Sequence, residues 1–176
     1  MAQATRLIAA LTVLVAMPAP ALAASAPVGS LKGAALKHAL LTSRELWATV
    51  DVCNPSDQPN WVGVRGSMPG DGHSRDKMYM SFRLQYMDPA SKQWIDASST
   101  RSAFVAVGSG ASTRQDGTSF KLVRGTSAFT LRGVVDFQWR RGKTVLWAAA
   151  RTSTAGHHSL SGADPANFSA ATCSIG

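Results

Sequence analysis

Several short stretches of the chain alternate between apolar and polar residues, and this period of two predicts β-strands. The clearest stretch is Met78 to Tyr86, followed by turn residues at 88–91 and a second, shorter stretch at 93–97 that carries Trp94. Successive side chains of a strand point to opposite faces, so every second residue of the first stretch would share one face. Those residues are Met78, Met80, Phe82, Leu84 and Tyr86. The two stretches together predict an antiparallel hairpin.

A second hairpin is predicted near the middle of the C-terminal half. Residues 134–139 alternate, 140–143 read Arg-Arg-Gly-Lys, and 145–149 alternate again. Glycine supplies the positive φ that tight hairpin turns require. Weaker strand patterns cover 46–53, 61–65, 102–107, 119–123 and 168–175. Loops rich in glycine, serine and aspartate are predicted at 54–60, 66–77, 108–118 and 155–167.

Residues 31–42 have two interpretations. Leu31, Ala35, His38 and Ala39 would form one helical face, whereas Leu36, His38 and Leu40 alternate as in a strand. Ser43-Arg44 would turn such a strand into the next one. We favour the strand and expect an antiparallel N-terminal hairpin.

Eight to nine short strands separated by frequent turns are typical of an all-β domain. We predict a two-sheet antiparallel sandwich with the architecture of immunoglobulin or fibronectin domains. That likeness concerns architecture and implies no function, because such sandwiches serve many unrelated roles.

The N-terminal residues predict export. Arg6 precedes an uncharged apolar run at 7–17, a Pro-Ala-Pro break follows, and Ala21-Leu22-Ala23 matches the small-residue pattern of signal peptidase sites. The apolar run is shorter than the roughly 20 residues of a membrane-spanning helix. We therefore predict a signal peptide at 1–23, a flexible linker at 24–30, and a single domain at 31–176. The protein would be secreted to the periplasm or the medium, with no transmembrane anchor.

The chain has two cysteines, Cys53 and Cys173. In an oxidising compartment they are expected to form a disulfide with each other. The bridge would join an early strand to the last one, over a loop much longer than that of the immunoglobulin cross-link. A redox or zinc pair is disfavoured, because there is no Cys-x-x-Cys motif and two ligands do not make a zinc site.

The net charge of the chain indicates which class of partner it would bind. Eighteen basic residues less Arg6, against ten acidic ones, leave the exported chain with a net charge of about +7. Such a surface favours anionic partners. We expect an anionic cell-envelope polymer or another extracellular protein. Nucleic acid is not expected, since the basic residues are scattered and do not interleave with aromatic residues. The alanine-rich, arginine-rich composition indicates a bacterial source, and the oligomeric state stays open.

Four residues are candidate contacts for such a partner. Trp61 begins a strand after a polar loop and could stack on a sugar ring, and Arg140, Arg141 and Lys143 form the densest positive cluster at a hairpin turn. The alternative interpretations are a tryptophan that closes the core and an ordinary solvated turn.

Catalytic and metal-binding patterns are weak. Loop 70–76 contains Asp71, His73 and Asp76, but lacks the alternating oxygen ligands of a calcium loop. His157-His158-Ser159 has no nucleophile-elbow context. We assign no catalytic residues, no metal and no cofactor. The favoured function is a non-enzymatic binding or cell-envelope module, and the alternative is a small secreted hydrolase or hydrolase inhibitor.

Overall fold

The computed structural model describes residues 27–123, 128–157 and 160–176. The predicted signal peptide at 1–23 lies outside the described residues and stays a prediction. Of the predicted linker, Val28–Ser30 form one exposed 3₁₀ turn. No helix within the described residues is long and apolar enough to span a bilayer.

One α-helix and nine strands occur in the described residues, and the strands form two antiparallel sheets. The elements are α1 (Gly33–Thr42), β1 (Trp47–Cys53), β2 (Trp61–Met68), β3 (Lys77–Met87), β4 (Trp94–Asp96), β5 (Val105–Ser109), β6 (Arg114–Lys121), β7 (Phe129–Arg141), β8 (Thr144–Thr152) and β9 (Cys173–Ile175). The smaller sheet has the order β1-β2-β6. The larger has the order β4-β3-β7-β8, with β5 also pairing to β3 and β9 to β7. The all-β prediction is therefore confirmed, whereas the immunoglobulin-like sandwich stays a prediction.

Apolar residues from both sheets and from α1 share one core. The β3 alternation is confirmed, because Met78, Met80, Phe82 and Leu84 are all at most 1% exposed. Glycine allows the sheets to approach closely at one point, since a Cβ atom on Gly133 of β7 would lie 2.6 Å from Val64 of β2. Because one face of β3 and β7 packs in the core, only the opposite face of these strands is available for other contacts.

The predicted N-terminal strand is wrong, because residues Gly33–Thr42 form α1. Leu36 and Leu40 lie one turn apart and are buried, whereas His38 between them is exposed. A four-residue spacing places both leucines on one helical face, and alanine, leucine and lysine favour helix. The alternation at positions 36, 38 and 40 therefore does not correspond to a strand.

Several other strand boundaries differ from the prediction. Strand β6 begins at Arg114, inside a predicted loop, because this outer strand of the smaller sheet lacks an apolar alternation. Strand β2 continues to Met68, and β5 lies at Val105–Ser109. The last strand is only Cys173–Ile175, while Ala170 makes a separate antiparallel bridge to Val50.

The predicted disulfide is confirmed. Cys53 at the end of β1 is bonded to Cys173 at the start of β9, with the Cα atoms 5.5 Å apart and 120 positions between the two residues in the sequence. Since β1 belongs to the smaller sheet and β9 to the larger one, the bond joins the two sheets.

Candidate functional site

The four candidate contact residues do not form one site. Trp61 pairs with Lys121 at one end of the smaller sheet, and Lys121 lines a cleft together with Leu131. The β7–β8 turn lies at the opposite end of β7, ten residues beyond Leu131. At about 3.4 Å per residue, Leu131 and the β7–β8 turn are roughly 30 Å apart. Trp61 is therefore separate from the three cations of the turn.

The three cations of the turn also point in different directions. The Arg140 guanidinium lies over the rings of Tyr79, at 4.2 Å, and Phe104, at 5.0 Å. The neighbouring Arg141 instead donates two hydrogen bonds to Asp76, at 2.6 and 2.8 Å. Lys143 is exposed in the turn itself. Alternation along a strand explains why adjacent arginines reach opposite faces.

Arg132 repeats the arrangement of Arg140 on the same strand. Its guanidinium lies 4.4 Å from the centre of the Trp94 ring, and its Nε donates to Gln85 at 2.8 Å. Arg140 likewise donates from Nε to a glutamine oxygen, that of Gln138, at 2.7 Å. Both arginines are therefore held by an aromatic ring and a neutral amide.

Two further arginines lie between them and are paired with acids. Arg83 on β3 and Arg101 after β4 both bond to Asp96 and Asp136, with Arg101 at 3.1 and 3.0 Å. The hydrogen bond from Gln85, followed by Arg101 and Arg83, holds the pKa of Asp96 below its usual range. These pairs form a charged network in the middle of the larger sheet.

We call this surface the arginine face. It is the side of the larger sheet opposite the core, and its members are Arg83, Arg101, Arg132, Arg140, Tyr79, Trp94 and Phe104. Within the part of the chain that the structure describes, neither Arg132 nor Arg140 has a carboxylate within 4.0 Å. Burial, and then the positive charge of Arg83, lower the pKa of Arg132. The face thus presents two oriented, uncompensated guanidinium groups.

The arrangement suits recognition of an anionic group. A guanidinium held on an aromatic ring loses less conformational freedom on binding and keeps its outer N–H groups available for a phosphate, sulfate or carboxylate. Arg132 and Arg140 are eight residues apart on β7, which corresponds to about 27 Å. This distance is longer than a small ligand and is compatible with the length of an extended polymer.

Asp51, Asp96 and Asp136 are strand aspartates, and two carboxylates on one face could serve acid–base catalysis. The structure separates Asp51 from the other two, because β1 belongs to the smaller sheet. Asp51 is only 4% exposed, and it accepts a hydrogen bond from Arg65 at 2.8 Å. Burial raises the pKa of Asp51, and Arg65 partly offsets the effect. Asp96 and Asp136 do lie together on the larger sheet, where Arg83 and Arg101 bind both carboxylates.

Arg141 belongs to a separate cluster with Asp71, His73 and Asp76. Both aspartates are 1% exposed, and the His73 side chain is 36% exposed. The hydrogen bonds from Arg141 lower the pKa of Asp76, whereas burial raises that of Asp71. The cluster lines a cleft of about 500 Å³ that is also bordered by the start of α1 and by Trp147 of β8.

The end of the molecule near Trp61 has a larger cleft of about 810 Å³. Its lining includes apolar residues such as Leu122 and Phe129, with Lys92 and Lys121 as the charged residues. The described lining contains no aspartate, glutamate, histidine or cysteine.

The structure describes only part of the predicted histidine loop. The His157 ring stacks on Trp47 with centroids 4.1 Å apart, and its Nε2 lies 3.0 Å from the hydroxyl of Thr154. His158 and Ser159 lie outside the described residues. The backbone N–H of Asp164 donates to the carbonyl of Asp51 in β1 at 2.9 Å.

Sequence reasoning found Arg140 but missed the rest of the arginine face. Arg132 was overlooked because the predicted strand began at residue 134, whereas β7 begins at Phe129. Its partner Trp94 was placed in a predicted strand but was not among the candidate contact residues. The register between β3 and β7 brings these residues together, and a single sequence does not reveal that register.

No protein-family model matches the chain, and no curated protein is significantly similar to it. Its function must therefore be argued from the geometry of its own residues. The arginine face and the Asp71 cluster are the two places where that geometry indicates a ligand.

Proposed function

We propose that this protein is a secreted, non-enzymatic binding module that holds an anionic polymer of the cell envelope on the arginine face. The observation that carries the proposal is the repeated arrangement of Arg132 and Arg140. Each lies on an aromatic ring, donates to a glutamine, and has no acid partner among the described residues. Charged groups held ready for a ligand in this way favour binding, because less entropy is lost on association.

The secreted location is supported by two further features. The Cys53–Cys173 disulfide is typical of oxidising compartments. The N-terminal pattern of Arg6, apolar run and small residues predicts a cleaved signal peptide. An immunoglobulin-like sandwich would suit this role, because its rigid sheets hold surface side chains at fixed spacing.

The contact set differs from the one that the sequence suggested. Arg140 is retained, and Arg132 is added at the far end of the same strand. Arg141 is excluded because Asp76 already neutralises it. Lys143 lies at the exposed turn and would add long-range attraction, which salt screens. Trp61 lies about 30 Å from the turn and is not part of the proposed contact.

Replacing both uncompensated arginines should weaken binding to a polyanion strongly. We expect R132Q/R140Q to bind immobilised heparin, used as a sulfated probe, at least about tenfold more weakly than the parent protein. A hydrogen bond to a charged group contributes about 1.5–3 kcal/mol, and 1.4 kcal/mol corresponds to a factor of ten. Affinity would be measured by surface plasmon resonance at several salt concentrations.

The matched control is K37Q/K92Q, which removes the same charge from exposed positions outside the face. It should reduce binding only slightly, through the change in net charge. A third variant, R132K/R140K, keeps the charge but loses the planar guanidinium, and it should bind with intermediate affinity. Equal losses in R132Q/R140Q and K37Q/K92Q would mean that net charge alone governs binding, which would refute the proposed site.

A further inference from the structure

The loop between β2 and β3 brings three metal-ligating side chains together. One ligand atom from each of Asp71, His73 and Asp76 lies within 4.8 Å of the others. The two aspartates are fully covered by protein, and the imidazole is at the edge of the 500 Å³ cleft. The three residues come from one six-residue segment, so the loop conformation alone sets their geometry.

The loop is held in this shape by hydrogen bonds that use Asp71 Oδ1 and His73 Nδ1. Asp71 Oδ1 accepts the His73 backbone N–H at 2.9 Å, and His73 Nδ1 lies 2.9 Å from the Asp71 carbonyl oxygen. Since a carbonyl oxygen only accepts, Nδ1 is the donor and Nε2 keeps its lone pair. Histidines that ligate metals are commonly oriented in this way, with the other ring nitrogen donating to a carbonyl.

One oxygen of the cluster has no hydrogen-bond donor, although the Asp71 carboxyl lies within hydrogen-bonding reach of Asp76. Asp71 Oδ2 is buried, in a residue that is 1% exposed, and no donor reaches it. A buried carboxylate oxygen without a donor or cation is costly, and each such atom calls for an explanation. This oxygen is an observation independent of the mere proximity of three ligand-type residues.

The charges also leave room for a cation. Two buried aspartates face Arg141, which is 59% exposed and bonds to Asp76, while Lys32 also lines the cleft but makes no ion pair with either aspartate among the described residues. Each Asp76 oxygen accepts one of these bonds and retains further acceptor capacity. Arg141 can therefore stay in place as a hydrogen-bond partner of a ligating carboxylate.

We propose that Asp71, His73 and Asp76 bind a divalent first-row transition-metal ion of the zinc or manganese class. Carboxylates with an imidazole suit such ions, whereas calcium requires six to eight oxygen ligands. Arg75 is exposed and is not part of the cleft lining, so its charge does not occupy the site. Three protein ligands leave at least one position open towards the cleft for water or a bound molecule.

The test uses the purified protein after treatment with a chelator and dialysis. We expect isothermal titration calorimetry to give one equivalent of bound Zn²⁺, weaker binding of Mn²⁺, and no comparable binding of Ca²⁺ or Mg²⁺. Mn²⁺ should broaden the NMR signals of the His73 ring more than those of the exposed His38. This readout needs no variant and therefore does not depend on a substituted protein folding.

Two variants and one control complete the design. D71N and H73Q should each lower Zn²⁺ affinity by at least about tenfold to a hundredfold, because loss of a group that only supports a metal ligand already has an effect of that size. D57N, which removes a carboxylate from an exposed loop, should bind Zn²⁺ like the parent. Absence of saturable binding, or unchanged affinity in D71N, would overturn the proposal and leave a proton on Asp71 as the occupant of the buried oxygen.

Discussion

The double variant C53A/C173A should have a free energy of unfolding lower by about 2–5 kcal/mol than the oxidised parent protein. The bond closes a loop of 120 residues, and a link of that length restricts the unfolded chain strongly. It also holds β9, which has only three residues and pairs with β7 solely at Phe129–Leu131. Urea unfolding followed by tryptophan fluorescence measures the difference.

A reduced sample of the parent protein is the control, because it keeps both sulfur atoms and loses only the covalent link. We expect the reduced parent and C53A/C173A to unfold within about 1 kcal/mol of each other, since Cys173 contributes little buried volume of its own. A loss below about 1 kcal/mol in both samples would show that β9 is held by its strand pairing and not by the disulfide.

R65L should lower the free energy of unfolding by about 3 kcal/mol at pH 7, because it leaves the Asp51 carboxylate buried without its cation. Asp51 is 4% exposed and the Arg65 side chain 17%, so water screens the pair only in part. Arg65 also donates a hydrogen bond to the backbone carbonyl of Ser161, which follows β8 in the sequence. This makes Arg65 a connection between β2 and the segment that follows β8.

The effect of R65L should depend on pH in a defined direction. Burial raises the pKa of Asp51 above its ordinary value of 3.8, and removing Arg65 raises it further. A carboxyl group with a raised folded-state pKa destabilises the fold as pH rises from the unfolded value through the folded one. The deficit of R65L should therefore be small near pH 4 and grow towards pH 7.

The double variant D51N/R65L tests the pairing itself. Replacing both charges should recover most of the stability that R65L loses, because the buried charge is then absent. Equal destabilisation of R65L and D51N/R65L at pH 7 would mean that Arg65 acts through packing or through Ser161, and not through Asp51.

Local patterns were sufficient for much of the fold. The alternation from Met78 to Leu84 predicted both β3 and its buried face, because a half-buried strand must separate apolar from polar side chains. The two cysteines predicted the disulfide because they had no other partner. The first half of strand β6 was missed because an edge strand of polar residues carries no such alternation.

The helix and the arginine face depended on contacts distant in sequence. Residues 31–42 fit two periods, and the burial of Leu36 and Leu40 against the rest of the core decides between them. The Arg132–Trp94 contact depends on β7 and β4 both lying beside β3. Likewise, loop 70–76 was compared with a calcium loop, and the convergence of its three ligands became visible only in three dimensions.

The central claim is that the arginine face binds an anionic polymer, and NMR mapping tests it most directly. A heparin-type sulfated oligosaccharide would be titrated into ¹⁵N-labelled protein, with the Nε–H signals of Arg132 and Arg140 and the indole N–H of Trp94 as reporters. We predict saturable shifts of these three signals, with the indole of Trp61 unchanged. Shifts confined to Trp61 or to the turn at Lys143, or no saturable shift at all, would contradict the claim.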